Sequence, residues 1–367
     1  MPPNKIANAE MRIPFYFSFF ALLTFAGTSR SFAQENNDST NAASKKPPDS
    51  IYIRRLDTLL HLQSWISANQ MDYTLVYSDD FKLVLGPNET NSLSFGFSYR
   101  YLDLGLSFTP DFLNADQDED KKGESERFSF RTSFSMHRFN LSIDLNTVKG
   151  FYLKNSANFA RAGTLPDSPY VLFPDLKVGN FAVLLRYNVN PKFSTAALTS
   201  GTQIQLKSAW TVLPSFQFAT FKFHNDSKTT GVQNESTLST DLNLLLPVAG
   251  TLVFSPKFSA SLAVGPSFGV DFFKSVSLDD SNRVAVTKGT KLITGYSLQT
   301  ALSFNSGRFF SGIESRYRSY GHKIEDVSRM IKQYSYFQVY IGWRLRAPGF
   351  AKKALDWVNK VSPIDLD

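Results

Sequence analysis

Three sets of residues in this chain have the types and spacing that chemistry could use. Gly265-Pro266-Ser267-Phe268-Gly269 matches G-x-S-x-G, the pattern on which hydrolases raise a nucleophilic serine. That chemistry needs a sharp turn from strand into helix, so that the hydroxyl stands free beside a histidine base. Asp116, Asp118 and Asp120 alternate as the first ligands of a calcium loop do. A third set consists of charges placed with period two inside apolar stretches: Arg100, Asp103, Arg131, Asp144, Arg186, Asp271, Glu314, Arg316, Arg318 and Arg344. Charges that share an interior can select ions in a pore, or pair with one another and fill it.

The elements that must hold these residues decide between the readings. Ser267 lies in the middle of Phe258 to Phe273, where Phe258, Ala260, Leu262, Val264, Pro266, Phe268, Val270 and Phe272 alternate with small or polar residues. That is a strand period, long enough to cross a bilayer at a tilt, and it contains no elbow. Pro266 then requires a bulge or a local break in the ladder. The four histidines are scattered: His61 on an expected helix, His137 in a short turn, His224 and His322 where long loops begin. Only the last two would stand near a membrane surface, and no Ser-His pairing follows from spacing. The acidic loop lacks the glycine that a calcium loop places after its third ligand, since Lys121 follows Asp120 and Gly123 comes too late. A solvated loop accounts for it.

The same alternation recurs along the chain. Leu93, Phe95, Phe97 and Tyr99 alternate with Ser94, Gly96, Ser98 and Arg100; Phe128, Phe130, Phe134 and Met136 oppose Ser129, Arg131 and Ser133; Phe139, Leu141, Ile143 and Leu145 oppose Asn140, Ser142 and Asp144. The expected fold is all-β: a transmembrane antiparallel up-and-down β-barrel of about 12 strands over 71–346, with a short helix before and after it. Breaks near Asp116, Asn158, Asp226, Asp280 and Glu325 are long and polar, whereas those at Tyr101, His137, Pro256 and Ser306 are tight, and only the connection from Asn190 to Gly201, on the short side, is longer. Outer-membrane barrels show this asymmetry, with long loops extracellular and short turns periplasmic.

Around the barrel the sequence divides further. Residues 1–33 read as a signal peptide, with Arg12, an apolar core over 13–27 and Ser31-Phe32-Ala33 before the cleavage point; Met11 is an alternative start. Residues 34–50 are polar, carry Pro47-Pro48 and read as a disordered linker. Residues 51–70 place Leu56, Leu59, Leu60, Gln63 and Ile66 near one helical face, which predicts an amphipathic periplasmic helix. Residues 347–367 predict a basic periplasmic tail helix, with Phe350, Leu355, Trp357 and Val358 among Lys352, Lys353 and Lys360.

Composition removes several function classes. Among 367 residues there are 34 Phe and no Cys, which excludes disulfides, thiolate catalysis and cysteine metal sites, and neither a cofactor nor a metal is expected. After the N-terminal stretch no apolar run is long enough for a spanning helix. The formal charge of +7 is spread without a basic helix or an aromatic RNA-binding motif, so the expected partners are outer-membrane lipids rather than nucleic acid. A periplasmic protein partner could dock on either flanking helix.

Gly86-Pro87-Asn88 ahead of Ser98-Tyr99-Arg100, Lys149-Gly150-Phe151-Tyr152, the run from Asn190 through Phe193-Ser194, Gln205 with Lys207-Ser208-Ala209, and Gly342-Trp343-Arg344 with Arg346-Ala347-Pro348 resemble an uncharacterised outer-membrane β-barrel family of Bacteroidota, domain of unknown function 4421. The resemblance covers roughly Leu56 to Val358 and implies an outer-membrane location; it brings no reaction, ligand or catalytic residue. Trp210 stands where that family often has glycine. Three functional readings follow. The first is an integral outer-membrane barrel that serves as a structural or interaction platform or as a narrow passive channel. The second is an outer-membrane lipid hydrolase with a Ser-His site, and the third a soluble secreted all-β protein.

Overall fold

The computed structural model describes residues 51–362, apart from 57, 77–80, 89, 115–117, 159–169, 200, 226–234, 279–283 and 324–328. The expected signal and linker, 1–33 and 34–50, lie outside the described residues. The chain divides into two compact units, one holding the sheet and the other, among the described residues, the C-terminal helix Gly349–Val361.

Strands account for nearly all of the first unit. They are β1 (Ile53–Arg55), β2 (Leu59–Val76), β3 (Lys82–Gly86), β4 (Thr90–Tyr99), β5 (Leu102–Phe108), β6 (Glu126–Met136), β7 (Phe139–Leu153), β8 (Leu172–Tyr187) and β9 (Gln203–Gln205). There follow β10 (Ala209–Val212), β11 (Ser215–Asn225), β12 (Glu235–Leu245), β13 (Val248–Val253), β14 (Phe258–Leu278), β15 (Val284–Asn305), β16 (Phe309–Lys323) and β17 (Arg329–Arg346). Among the described pairings all are antiparallel; β1 and β9 form a two-stranded sheet, and the other strands form a sheet of 15. In that sheet β14 pairs with β12 and β13 along one edge and with β15 along the other.

The expected architecture needs correction. The sheet does not close as an even, simple up-and-down barrel of about 12 strands: it has 15 strands, and β3 branches off to pair with both β2 and β7. No helix precedes it among the described residues. Leu59–Val76 is instead an 18-residue strand, paired along its whole length with β17. Its leucines satisfy helical spacing, but the same stretch has a period-two row, His61, Gln63, Trp65, Ser67 and Asn69, that a long antiparallel partner selects. Pro214 and Pro247 divide two further stretches, into β10 with β11 and β12 with β13, because proline cannot donate to a ladder.

The sheet is apolar outside and polar inside. Phe95, Phe97, Leu106, Phe128, Phe139, Leu185, Phe216, Leu244, Leu262, Phe268, Leu298, Phe337 and Ile341 are exposed, whereas Ser94, Ser98, Asn140, Gln217, Asn243, Ser267, Glu314 and Gln338 are buried. Near the tight turns an outer row of aromatics runs across four strands, with ring centroids 5.0 Å apart for Phe258–Phe304, 6.2 Å for Phe304–Phe309 and 5.8 Å for Phe309–Trp343.

Candidate functional site: a charged chamber between two packed layers

The interior has three layers, and β2 and β17 each cross all of them. Nearest the tight turns is a packed layer built on 188–208. Phe193 and Leu198 pack on Leu213, Ala249 and Ala263. Gln205 ties this segment together, accepting from the Ser194 amide at 2.8 Å and donating to the carbonyls of Lys192 at 2.7 Å and Lys207 at 2.9 Å. β1 pairs with β9 beside it, and the Leu56 amide donates to the Thr202 carbonyl at 2.8 Å. Arg344 bolts the layer to the sheet: it donates to the carbonyls of Ser306 (2.8 Å) and Gly201 (3.1 Å) and to Asn305 Oδ1 (2.6 Å), and its guanidinium lies 4.5 Å from the Phe310 ring centroid.

At the opposite end the interior is mostly apolar, around the buried guanidinium of Arg127. Met71, Tyr73, Leu85, Val148, Phe151, Leu153, Leu176, Val178 and Phe221 form one buried cluster. β7 can send Phe151 and Leu153 into it because of a register shift between Lys149 and Phe151. Gly150 carries that bulge at φ +82, and a Cβ there would stand 2.0 Å from the Glu124 carbonyl oxygen, so only glycine fits.

Between these layers lies a cavity of about 110 Å³. Six of the ten charges singled out by spacing line it: Asp103, Arg131, Asp144, Arg186, Arg316 and Arg318. Arg131 donates from Nε to Asp144, and Asp103 accepts from Ser133 Oγ at 2.8 Å. Glu314 is fixed beside them, accepting from Arg316, from Gln299 at 2.8 Å and from Gln338 at 2.6 Å. Two guanidiniums are left over. Arg318 makes no hydrogen bond or ion pair among the described residues, and the Nε of Arg186 is buried without an acceptor. Four guanidiniums therefore face two carboxylates, or three with Glu314.

The remaining four charges go elsewhere. Arg344 belongs to the layer at the tight turns, and Arg100 sits in a turn at φ +54 with its guanidinium 5.8 Å from the Tyr99 ring centroid. Asp271 is buried on β14 opposite Asp241, whose carboxylate is 3.6 Å from Lys332 Nζ. Glu314 adjoins the chamber through Gln299 and Gln338. Trp65, which sequence reasoning assigned to a helix, lines the chamber wall: its indole lies over Gly96 and Gly105, where a Cβ would come to 2.9 and 3.1 Å of the ring.

The G-x-S-x-G segment is a packing device. Ser267 is buried in an unbroken strand and its Oγ makes no hydrogen bond. Gly265 lies against the Leu246-Pro247 break between β12 and β13: a Cβ there would meet Pro247 Cα at 2.3 Å. Pro266 faces the same gap, so the expected ladder break falls in the partner strand, and its carbonyl still accepts from the Leu246 amide at 3.1 Å. His224 pairs with Ser236 and Ser236 with Val276, nine residues along β14 from Ser267, which is roughly 30 Å. His61 is buried and bonded to the Leu56 carbonyl at 3.0 Å, while His137 is exposed in a turn. His322 lies two strands from β14 by register, and its side chain is outside the described residues. Nothing described assembles a Ser-His site. Asp116 is outside the described residues too, while Asp118 pairs with Lys121 at 3.6 Å and Lys122 at 3.8 Å. No group of metal-ligating side chains occurs among the described residues.

Comparison with known proteins places the chain by family. The model of a family described as Domain of unknown function (DUF4421) matches residues 47–345, and the chain belongs to that family. This is the family named from the sequence; the match carries no statement of phylum. No curated protein matches. Among solved structures, the outer membrane protease OmpT from Escherichia coli is 7% identical, with a TM-score of 0.38 over 80% of this chain and 98% of that one. The Pseudomonas putida toluene transporter TodX is 10% identical, with a TM-score of 0.29 over 79% and 90%. Ail, the attachment invasion locus protein of Yersinia pestis, is 10% identical, with a TM-score of 0.23 over 77% and 98%. The resemblance is a general one, to outer-membrane β-barrel-type proteins of differing activities.

Proposed function

We propose that this DUF4421 protein is an integral outer-membrane protein whose rolled sheet spans the bilayer as a non-conducting platform, with no catalytic role. The observation that carries this reading is the inverted distribution of side chains, an apolar outer face around a hydrogen-bonded polar interior. A soluble protein that exposed so continuous an apolar surface would aggregate. Lipid is the partner that such a surface fits. Within the interior, the two packed layers supply side chains where a pore needs water, so the narrow-channel version of the platform gives way to the closed one.

The charges that line the chamber, on this reading, fix the interior of the sheet. Long connections face outward from the cell and the tight turns face the periplasm, as their lengths suggest. The C-terminal helix, Gly349–Val361, follows β17 in the chain. It exposes Phe350, Trp357 and Val361 on one side, with Lys353 and Lys360 flanking that face and Lys352 behind it, the composition of a helix that lies in an anionic lipid surface.

Fractionation and electrophoresis test the location: the protein should remain in the outer-membrane pellet and migrate differently before and after boiling. Recovery in the soluble periplasmic fraction would sink the proposal. In planar bilayers the folded protein should give no ohmic steps, and reproducible unitary conductance would refute the closed interior.

A further inference from the structure

We propose that the chamber binds a small oxyanion, of the phosphate or sulfate class, between Arg186 and Arg318. The inference goes beyond the platform reading and rests on charge balance. A charge partly withdrawn from water costs stability unless it is paired, and Arg186 and Arg318 are both half-buried. Here Arg131 is matched by Asp144 and Arg316 by Glu314, which leaves one lining carboxylate, Asp103, beside Arg186 and Arg318. Asp103 is held by Ser133, and Gln299 and Gln338 both donate to Glu314. Neither Arg186 nor Arg318 makes a hydrogen bond among the described residues, and the four arginines exceed the three carboxylates by one charge, which a bound anion would balance.

The ligand class follows from shape and room. Guanidinium offers paired donors that match the oxygens of phosphate, sulfate or carboxylate, and two forks can hold a tetrahedral ion from opposite sides. A single water needs only roughly 10–15 Å³ of cavity, so about 110 Å³ holds such an ion with waters around it. Packed layers on both sides favour a free ion over a lipid headgroup, whose acyl chains would have no route.

The test uses the full-length protein refolded from denaturant into detergent, with inorganic phosphate present from the start so that entry does not depend on opening. At constant ionic strength, with chloride as the balancing salt, phosphate should raise the midpoint of thermal unfolding and saturate as a single site. The variants Arg186→Gln and Arg318→Gln should weaken the apparent affinity at least tenfold, while Lys222→Gln, on the exposed face of β11, should leave it unchanged. Equal stabilisation by chloride, or unchanged affinity in both arginine variants, would overturn the site. Should the variants fail to fold, crystals of the unaltered protein grown with selenate decide: anomalous density between the two guanidiniums supports the site, and its absence refutes it. A response that appears only when phospholipid is added, and not with phosphate alone, would equally refute a free-ion site.

Discussion

A charge placed in the middle of the apolar face of β14 separates a membrane-spanning sheet from a soluble one. Val264 is 47% exposed on the outer row that runs from Phe258 to Phe272. Those residues span fourteen steps of roughly 3.4 Å, and a tilt near 45° reduces this to about 33 Å of height, comparable to the hydrocarbon core. Val264 lies six steps from Phe258, about 14 Å up, close to the midplane. An arginine there should cost roughly 2–4 kcal/mol if the face meets acyl chains, a change of about 30- to 900-fold in the folding equilibrium. If the same face met water, losing a β-branched residue would cost no more than about 1 kcal/mol. The measurement is reversible folding of Val264→Arg into lipid vesicles against denaturant, read by heat-modifiable migration. Ser267→Ala is the internal control, since its hydroxyl makes no hydrogen bond, and should change little. A cost for Val264→Arg below 1 kcal/mol, or one no larger than that of Ser267→Ala, would refute the assignment of an acyl-chain face.

Other perturbations probe the interior and the tail. Gly265→Ala puts a Cβ 2.3 Å from Pro247 Cα and 2.5 Å from the Leu246 oxygen, so backbone must move, and denaturant titration should show a loss of about 1–3 kcal/mol. Glu314→Gln leaves the Arg316 charge without its carboxylate and should destabilise by about 3 kcal/mol; adding Arg316→Gln should recover part of that in a double-mutant cycle. Arg344→Ala removes three hydrogen bonds that hold the layer at the tight turns, so amides over 193–205 should exchange at least tenfold faster, with little change around Val178. Replacing Lys352, Lys353 and Lys360 by Gln should weaken attachment of the C-terminal helix to anionic lipid by roughly 1 kcal/mol per residue, followed through quenching of Trp357 by brominated lipids with Trp210 and Trp343 changed to Phe.

How much of this was legible depended on whether a residue's partner was local or distant. The outward rows of β4 to β7 could be read directly, since Phe95, Phe97, Phe128 and Phe139 alternate with small polar residues whatever lies across from them. β2 could not, because its outward row includes Ser64 and Ala68 and so thins the period-two signal, leaving the spacing of Leu56, Leu59, Leu60 and Ile66 to suggest a helix. What fixes β2 as a strand is β17, some 270 residues away in the chain, and no local pattern announces that pairing. The site shows the same division. Charges at alternate positions marked the interior row, and six of them do converge on the chamber, but spacing could not tell which arginines would find a carboxylate. Arg131 and Asp144 meet because β6 and β7 set them directly opposite one another, a register that their shared turn at His137-Arg138 already determines. Arg186 and Arg318 stand on β8 and β16, which are not sheet neighbours, and their lack of a partner is a property of the whole rolled sheet. The same holds for Trp65: Gly96 and Gly105 looked like small inward residues, and the reason they are small, an indole lying across both, came from a stretch assigned to a helix. An interior assembled from single residues on many strands is therefore the part of such a protein that sequence patterning describes least, and it is where the charge imbalance that calls for an anion arises.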